Sequence, residues 1–202
     1  HVDTKIWLVY SACAYVRETG DLDVLRHRER FFDSARRTTL LKRLHLIVDK
    51  AWCDRGSHGL SLIGEGDWND NLSGMGAGGR GESTWMSLAV HWALVELAEL
   101  ADQLGDGKRA ARLRRRATLL RKAINEHAWD GDRYIMGTTD AGAKVGSRRS
   151  PQVKLFLLPQ VFAVLAGVAT PEQQRKLFAT VDRELASENG PLLMDKPYTK
   201  AD

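Results

Sequence analysis

Apolar residues recur at intervals of three and four along most of this chain. The pattern is clearest between Leu40 and Val48 and between Trp85 and Leu100. Because an α-helix completes a turn every ~3.6 residues, this spacing places the apolar side chains on one face of a helix. Such helices must pack against one another, so the sequence predicts an all-α fold.

Capping residues and turn signals set the expected helix bounds. Thr4 can cap the first helix and Gly20 can end it, while Asp106 can cap a later one. Thr170 and Gln173 form a capping-box pattern with proline between them. The predicted helices lie around residues 4–20, 22–32, 34–52, 83–105, 106–127, 157–168 and 170–187.

One segment between these helices favours strands. Residues 129–145 contain the Asp130-Gly131 turn pair and a β-prone run, which predict a small β-hairpin. About seven helices in antiparallel pairs are typical of an αα-toroid, in which inner and outer helices alternate. A complete toroid of about twelve helices at ~11 to 15 residues each needs a longer chain. We therefore expect roughly half of an (α/α)6 toroid.

Composition excludes several classes of protein. The chain of 202 residues has 30 Lys and Arg against 26 Asp and Glu and contains no apolar run long enough for a membrane span. The basic run in residues 108–122 is interrupted by apolar residues at helical spacing, which indicates a solvated helix face. Cys13 and Cys53 match no metal spacing. We expect a cytoplasmic protein without nucleic-acid or membrane contact, cut from a longer polypeptide because no initiator Met is present.

The glycine loop, residues 53–81, interrupts the helical pattern. Its 29 residues include nine glycines, and connections of this length within a compact domain usually carry function. Its centre holds two Asp, one Glu, two Asn and one Trp. Carboxylates and amides bind sugar hydroxyls, and an indole ring can cover the apolar face of a pyranose. The alternative is that Asp67, Asn69 and Asp70 only form turns while Trp68 fills the core.

The glycine loop also carries a resemblance to a known family. Asp67-Trp68-Asn69-Asp70, followed by Arg80-Gly81-Glu82-Ser83, is similar to motifs of glycoside hydrolase family 94. That family includes the inverting cellobiose and chitobiose phosphorylases and the phosphorylase-like region of cyclic β-1,2-glucan synthase. Further similarity lies in residues 7–8, 15–21, 154–160 and 197–199, so the resemblance spans most of the chain.

The resemblance implies a single partial catalytic domain over residues 1–202 and a reaction. The family cleaves a β-glucosidic bond with inorganic phosphate and yields an α-sugar 1-phosphate. Its general acid corresponds to Asp70, which must stay protonated near neutral pH to protonate the leaving oxygen. Phosphate is itself the nucleophile, so no second catalytic carboxylate, metal or further cofactor is expected. Family members are commonly dimers, which makes a homodimer an expectation.

The resemblance also implies residues that bind substrate. Trp68 corresponds to a donor-subsite residue, Glu65 stands where the family varies with acceptor preference, and Asp3 lies near an Asp pair that binds the donor sugar. The remaining expected members are Asp67 and Asn69 beside the acid, with Arg80 and Glu82 at the site rim or in an ion pair that holds the glycine loop.

Several positions depart from the family pattern and keep other functions open. Thr4, Gln152 and Leu158 replace an Asp, a Glu and an Asn that are usual there. The segments that carry the family's phosphate-binding His and donor-binding Arg are not in this sequence, so weak or no turnover is expected of these residues alone. The alternatives are an inverting hydrolase, with Asp67 as the candidate base, and a non-catalytic sugar-binding or structural half-toroid.

Overall fold

The structure is a computed structural model that describes residues 2–199, apart from the side chains of Asp70, Asn71 and Ser73. None of the described helices is long and apolar enough to cross a membrane. Short 3₁₀ helices, η1 and η2, occupy Asp23–Arg26 and Asp70–Met75. The six α-helices in this part of the chain are α1 (Thr4–Thr19), α2 (Leu40–Cys53), α3 (Thr84–Gln103), α4 (Gly107–His127), α5 (Leu157–Leu165) and α6 (Pro171–Leu185).

Helix α3 is the centre of the fold. It contacts α1, α2, α4 and α5, whereas α6 packs on α5. Most of its residues are buried, among them Trp85, Leu88 and Leu94, which are fully covered. Helices α1, α3 and α5 thus form one row, with α2 and α4 against it. This arrangement of helical hairpins agrees with the predicted half-toroid.

Helix ends follow the capping signals at most positions. Ser83 accepts from the Met86 N–H at the start of α3, and Asp106 accepts from the Arg109 N–H at the start of α4. The capping box of Thr170 is also present at the start of α6. Gly20 ends α1 in the left-handed conformation that glycine adopts without strain. The prediction that Thr4 caps α1 was wrong, because Asp3 holds the cap position and makes no side-chain cap bond.

The region before α2 differs from the prediction. The helix expected over 22–32 is reduced to η1, and the helix expected from Ser34 begins only at Leu40. A hairpin of β1 (Arg28–Arg30) and β2 (Arg37–Thr39) lies between them. Residues 28–39 contain few apolar side chains, so a helix here would lack an apolar face to pack on the core. The Arg43 guanidinium instead donates to two carbonyl groups of β1 and lies 4.6 Å from the Phe31 ring centre.

A four-stranded antiparallel sheet adds to the single hairpin predicted over 129–145. Its order is β3-β4-β5-β6, and each strand has two residues. The sheet connects the glycine loop to the predicted hairpin, which forms its second half. Its strands are β3 (Ser61–Leu62), β4 (Glu82–Ser83), β5 (Gly137–Thr138) and β6 (Lys144–Val145).

Gly81 makes one of the closest backbone contacts in this sheet region. A Cβ atom at this position would overlap the Met75 carbonyl group and the Gly76 backbone. Gly107, the first residue of α4, has open space around its Cα. The two glycines therefore differ in whether the fold tolerates a methyl group.

We expect Gly81→Ala to destabilise the protein by about 1–3 kcal/mol, because backbone atoms must move to admit the methyl group. Gly107→Ala should be neutral or stabilising by up to ~1 kcal/mol, since alanine favours helix. Thermal unfolding of both variants measures the difference. An unchanged midpoint for Gly81→Ala would contradict the packing described here.

Candidate active site

The sheet fixes both ends of residues 64–80, the central part of the glycine loop. Strand β3 pairs with β4, and the Ile63 N–H donates to the Gly81 carbonyl at 2.9 Å. The chain therefore leaves and re-enters the fold at one place, and residues 64–80 form a compact surface loop. Leu72 and Met75 of η2 are buried, which ties the middle of this loop to the core.

Asp67 is the buried polar centre of the loop. Its side chain has no solvent exposure. One carboxyl oxygen accepts the Asn69 N–H at 3.0 Å, and the other accepts the Ser83 hydroxyl proton. The same Ser83 hydroxyl accepts the Met86 N–H at the start of α3. Asp67 thereby joins the turn before η2 to the first turn of the central helix.

Burial raises the pKa of Asp67 above its ordinary value. Removal from water penalises the charged carboxylate, and the nearby Asp3 carboxylate adds repulsion. The bonds from Ser83 and Asn69 favour the charged form and act in the opposite direction, without cancelling the effect of burial.

Trp68 projects from this turn toward α1. Its side chain is 58% exposed, and its ring centre lies 5.7 Å from that of Trp7 and 6.5 Å from that of the buried Trp85. The Trp7 indole N–H donates to Asp3 at 3.1 Å. Asp3, Asp67 and Trp68, three of the expected site residues, are thus brought together with Trp7 of α1.

The other members expected next to the acid lie on the same turn. Asn69 caps η2 and its carbonyl accepts the Leu72 N–H. Glu65 is exposed, two residues before Asp67. Asp70 is the first residue of η2, but the side chain of this predicted acid lies outside the described part of the structure.

Arg80 and Glu82 lie away from the Asp67 cluster. Neighbouring strand residues point to opposite faces, so Ser83 meets Asp67 while Glu82 faces the other way. Glu82 is buried and binds His58 at 2.5 Å through the ring Nδ1. The exposed Arg80 side chain donates from Nε to the Asp140 carbonyl oxygen at 3.1 Å. Glu82 thus contacts His58 and Arg80 contacts Asp140, and a place for either residue at the site rim stays a prediction.

The sequence reading missed two partners of the site. The sequence predicted Ser83 as a helix start but not as a hydrogen-bond partner of Asp67. It gave no prediction for Asp140. Asp140 belongs to a Thr-Thr-Asp-Ala-Gly turn, a composition that indicates a turn but no distant contact. In the described residues, no cluster of three or more His, Cys, Asp or Glu side chains is arranged to hold a metal ion.

Comparison with known proteins identifies the family. The model of the glycosyl hydrolase 94 superfamily catalytic domain matches residues 1–202. The chain belongs to this superfamily. This confirms the family resemblance, and the residues that carried it include the Asp67–Trp68 turn described above.

Several curated proteins that resemble the chain are phosphorylases. It is 37% identical to a solabiose phosphorylase of Paenibacillus borealis, over 98% of the chain and 26% of the relative. It is 35% identical to a 3-O-β-D-glucopyranosyl-β-D-glucuronide phosphorylase of the same organism, over the same shares of both chains. The chain therefore spans about a quarter of the length of these relatives.

A solved structure supports the family 94 fold at low sequence identity. The rhamnosidase from Klebsiella oxytoca with rhamnose bound aligns over 95% of this chain and 31% of its own, with a TM-score of 0.65 and 18% identity. That neighbour is an (α/α)6 glycosidase. The predicted fold class, part of a helical toroid with a small β-hairpin, is confirmed.

The raised pKa of Asp67 predicts a pH-dependent contribution to stability. The folded state holds the Asp67 proton more tightly than the unfolded state. This carboxyl group therefore destabilises the fold as the pH rises above 3.8, the ordinary pKa of an aspartate. The stability of Asp67→Asn relative to the parent should therefore increase between about pH 4 and pH 7. Urea unfolding at several pH values measures this difference.

Asp33→Asn, at an exposed position, is the control and should show no such trend. A relative stability of Asp67→Asn that stays flat or falls with rising pH would contradict the buried, protonation-favouring environment.

Proposed function

We propose that this chain is part of the catalytic domain of an inverting phosphorylase. Its substrates are β-linked gluco-disaccharides or oligosaccharides and inorganic phosphate, and no other cofactor is required. The observation that carries the proposal is the packing of Asp67 and Trp68 against Asp3 and Trp7. The phosphorylase activity of the relatives supports the same reaction class.

In this proposal the turn supplies the surface on which the sugar binds. The half-exposed Trp68 ring offers an apolar face to a pyranose, supported from beneath by Trp7 and Trp85. The Asp3 carboxylate can accept hydrogen bonds from sugar hydroxyls, and the Asn69 amide can both donate and accept them. Glu65 extends toward solvent, where an acceptor sugar would lie.

Asp67 and Glu82 take supporting parts in this proposal. Each is buried, and each carboxylate already binds protein groups, Ser83 and Asn69 in one case and His58 in the other. A carboxylate engaged in this way fixes the loop on which sugar-contacting residues stand. We assign Arg80 to the rim, where its guanidinium is exposed.

Asp70 acts in this proposal as the general acid. It gives its proton to the glycosidic oxygen as the bond to the anomeric carbon breaks, so the leaving sugar departs as a neutral alcohol. Phosphate attacks the anomeric carbon from the opposite face, which inverts the configuration and forms an α-sugar 1-phosphate. The residues that hold phosphate are expected outside this segment.

The hydrolase alternative is less well supported. An inverting hydrolase needs a second carboxylate about 6.5–9.5 Å from the acid, with room for the water that it activates. Asp67, the candidate base, has no exposed surface, and both of its oxygens accept protein hydrogen bonds. Water activation at Asp67 would require opening the turn. A phosphate nucleophile needs no such base.

We expect Asp70→Asn, in the full-length protein, to lower kcat for phosphorolysis of β-linked gluco-disaccharides by about 10²–10⁴-fold. The amide cannot supply the proton. A β-glucosyl fluoride, whose leaving group needs no proton, should be consumed with a much smaller loss. Release of α-glucose 1-phosphate, followed by NMR, measures both reactions.

Asp33→Asn serves again as the exposed control and should turn over normally. Normal turnover by Asp70→Asn would overturn the assignment of the acid. Release of free sugar at the same rate with and without phosphate would favour the hydrolase, and the absence of any turnover in the parent protein would favour the non-catalytic alternative.

A further inference from the structure

Asp140 lies in the turn between β5 and β6 and binds the end of the glycine loop. Its carboxylate accepts backbone N–H groups from Gly78 at 2.6 Å, Arg80 at 2.7 Å and Gly81 at 2.8 Å. Its own N–H donates to the Met75 carbonyl at 2.8 Å. One residue, about 60 positions away in sequence, thus binds the loop at four points between residues 75 and 81.

The close approach of Asp140 depends on the glycines of the loop. A Cβ at Gly78 would come within 2.9 Å of the Asp140 carboxylate, and one at Gly81 would overlap the Met75 carbonyl. The three N–H donors hold the pKa of Asp140 below its ordinary value, so the carboxylate is charged at neutral pH. Charge-assisted bonds of this kind are the stronger class of hydrogen bond.

Met75 is the last residue of η2, and Asp70 is the first. Asp67 binds the turn that enters this short helix, and Asp140 binds the residue that ends it. Helix η2 is therefore held at both ends by aspartates outside it. The Asp67 side chain binds at its start, and the Asp140 backbone N–H binds at its end. Without Asp140, three N–H groups of the exit would turn to water and the exit would lose its fixed path.

We propose that Asp140 is a positioning residue for the acid, holding residues 75–81 so that η2 presents Asp70 to the glycosidic oxygen. The inference rests on the proposed function of Asp70. Since an error of about 1 Å in the position of a catalytic group can cost about 100-fold in rate, loosening of residues 78–81, which follow η2, should reduce turnover far more than substrate binding.

The experiment compares Asp140→Ala and Asp140→Asn with Asp106→Ala in the full-length protein. Asp106 is a matched control, because it is exposed and caps α4 through the Arg109 N–H, away from the glycine loop. Asp140→Ala should lower kcat for the disaccharide by about 10- to 100-fold while KM changes less than about threefold. Asp140→Asn keeps one acceptor oxygen and should fall between Asp140→Ala and the parent. Asp106→Ala should retain the parent kcat.

Two readouts separate positioning from a general loss of structure. Consumption of β-glucosyl fluoride should be lowered much less than disaccharide phosphorolysis in Asp140→Ala, as for Asp70→Asn. In an Asp70→Asn background, Asp140→Ala should cause no further loss, because both act through the same proton transfer. Hydrogen exchange by mass spectrometry should show faster exchange of the amides in 76–81 in Asp140→Ala and unchanged exchange there in Asp106→Ala.

Each result has a distinct meaning. If Asp70→Asn is impaired but Asp140→Ala has the parent kcat, the positioning role is wrong and the proposed function stands. Losses that multiply in the double variant, or that are equal for both substrates, also overturn positioning. If Asp70→Asn itself turns over normally, the proposed function fails and the role of Asp140 fails with it. Should Asp140→Ala not fold, Asp140→Asn carries the same comparisons.

Discussion

The buried bond between Asp67 and Ser83 is the interaction on which the rest of the site depends. Ser83 belongs both to β4 and to the cap of α3, the helix that contacts most of the others. Its hydroxyl donates to Asp67 while accepting from the Met86 N–H. The position of the turn at residues 67–69 is thereby fixed relative to the central helix of the fold. The cost is a buried carboxyl group, which is why its pKa is raised.

The four-stranded sheet supplies the second constraint. Strands of two residues contribute little stability themselves, but they bring the glycine loop and the 137–145 hairpin side by side. Gly137 is needed in that pairing, because a Cβ there would overlap the Glu82 carbonyl. The same pairing brings Asp140 within reach of the loop. Sheet, loop and hairpin therefore form one unit at the end of α3 where that helix begins.

The sequence predicted the parts of the fold that depend on local signals. Helices α3, α4 and α6 combine periodic apolar residues with a capping side chain, and both signals lie within a few residues of each other. The β1–β2 hairpin was missed because its strands have three residues each and contain no apolar residue, so no alternation of apolar and polar residues marks them. In that stretch, a tertiary contact of Arg43 decides the structure instead of local propensity.

The site divides in the same way. The family motif identified Asp67 and Trp68, since they are adjacent in sequence and differ from an ordinary turn in composition. Their partners Asp3, Trp7 and Ser83 stand at other positions. The family resemblance implied a binding role for Asp3, whereas Trp7 and Ser83 were only parts of similar segments. The role of Asp140 depends on strand pairing between elements about 60 residues apart, for which a single sequence holds no signal.

The groups that hold the loop in place are different from the side chains that it exposes. In the part of the chain that the structure describes, the side chains of Asp67 and Asp140 help to hold the loop, and their bonds to it end on backbone N–H groups. Backbone groups are present whatever the side chain, so the path of the loop does not depend on the identity of exposed residues such as Glu65. A substitution at Glu65 therefore changes the exposed surface of the loop without changing the position of η2. Under the proposed function, such a loop can accept different sugars while the acid keeps its position.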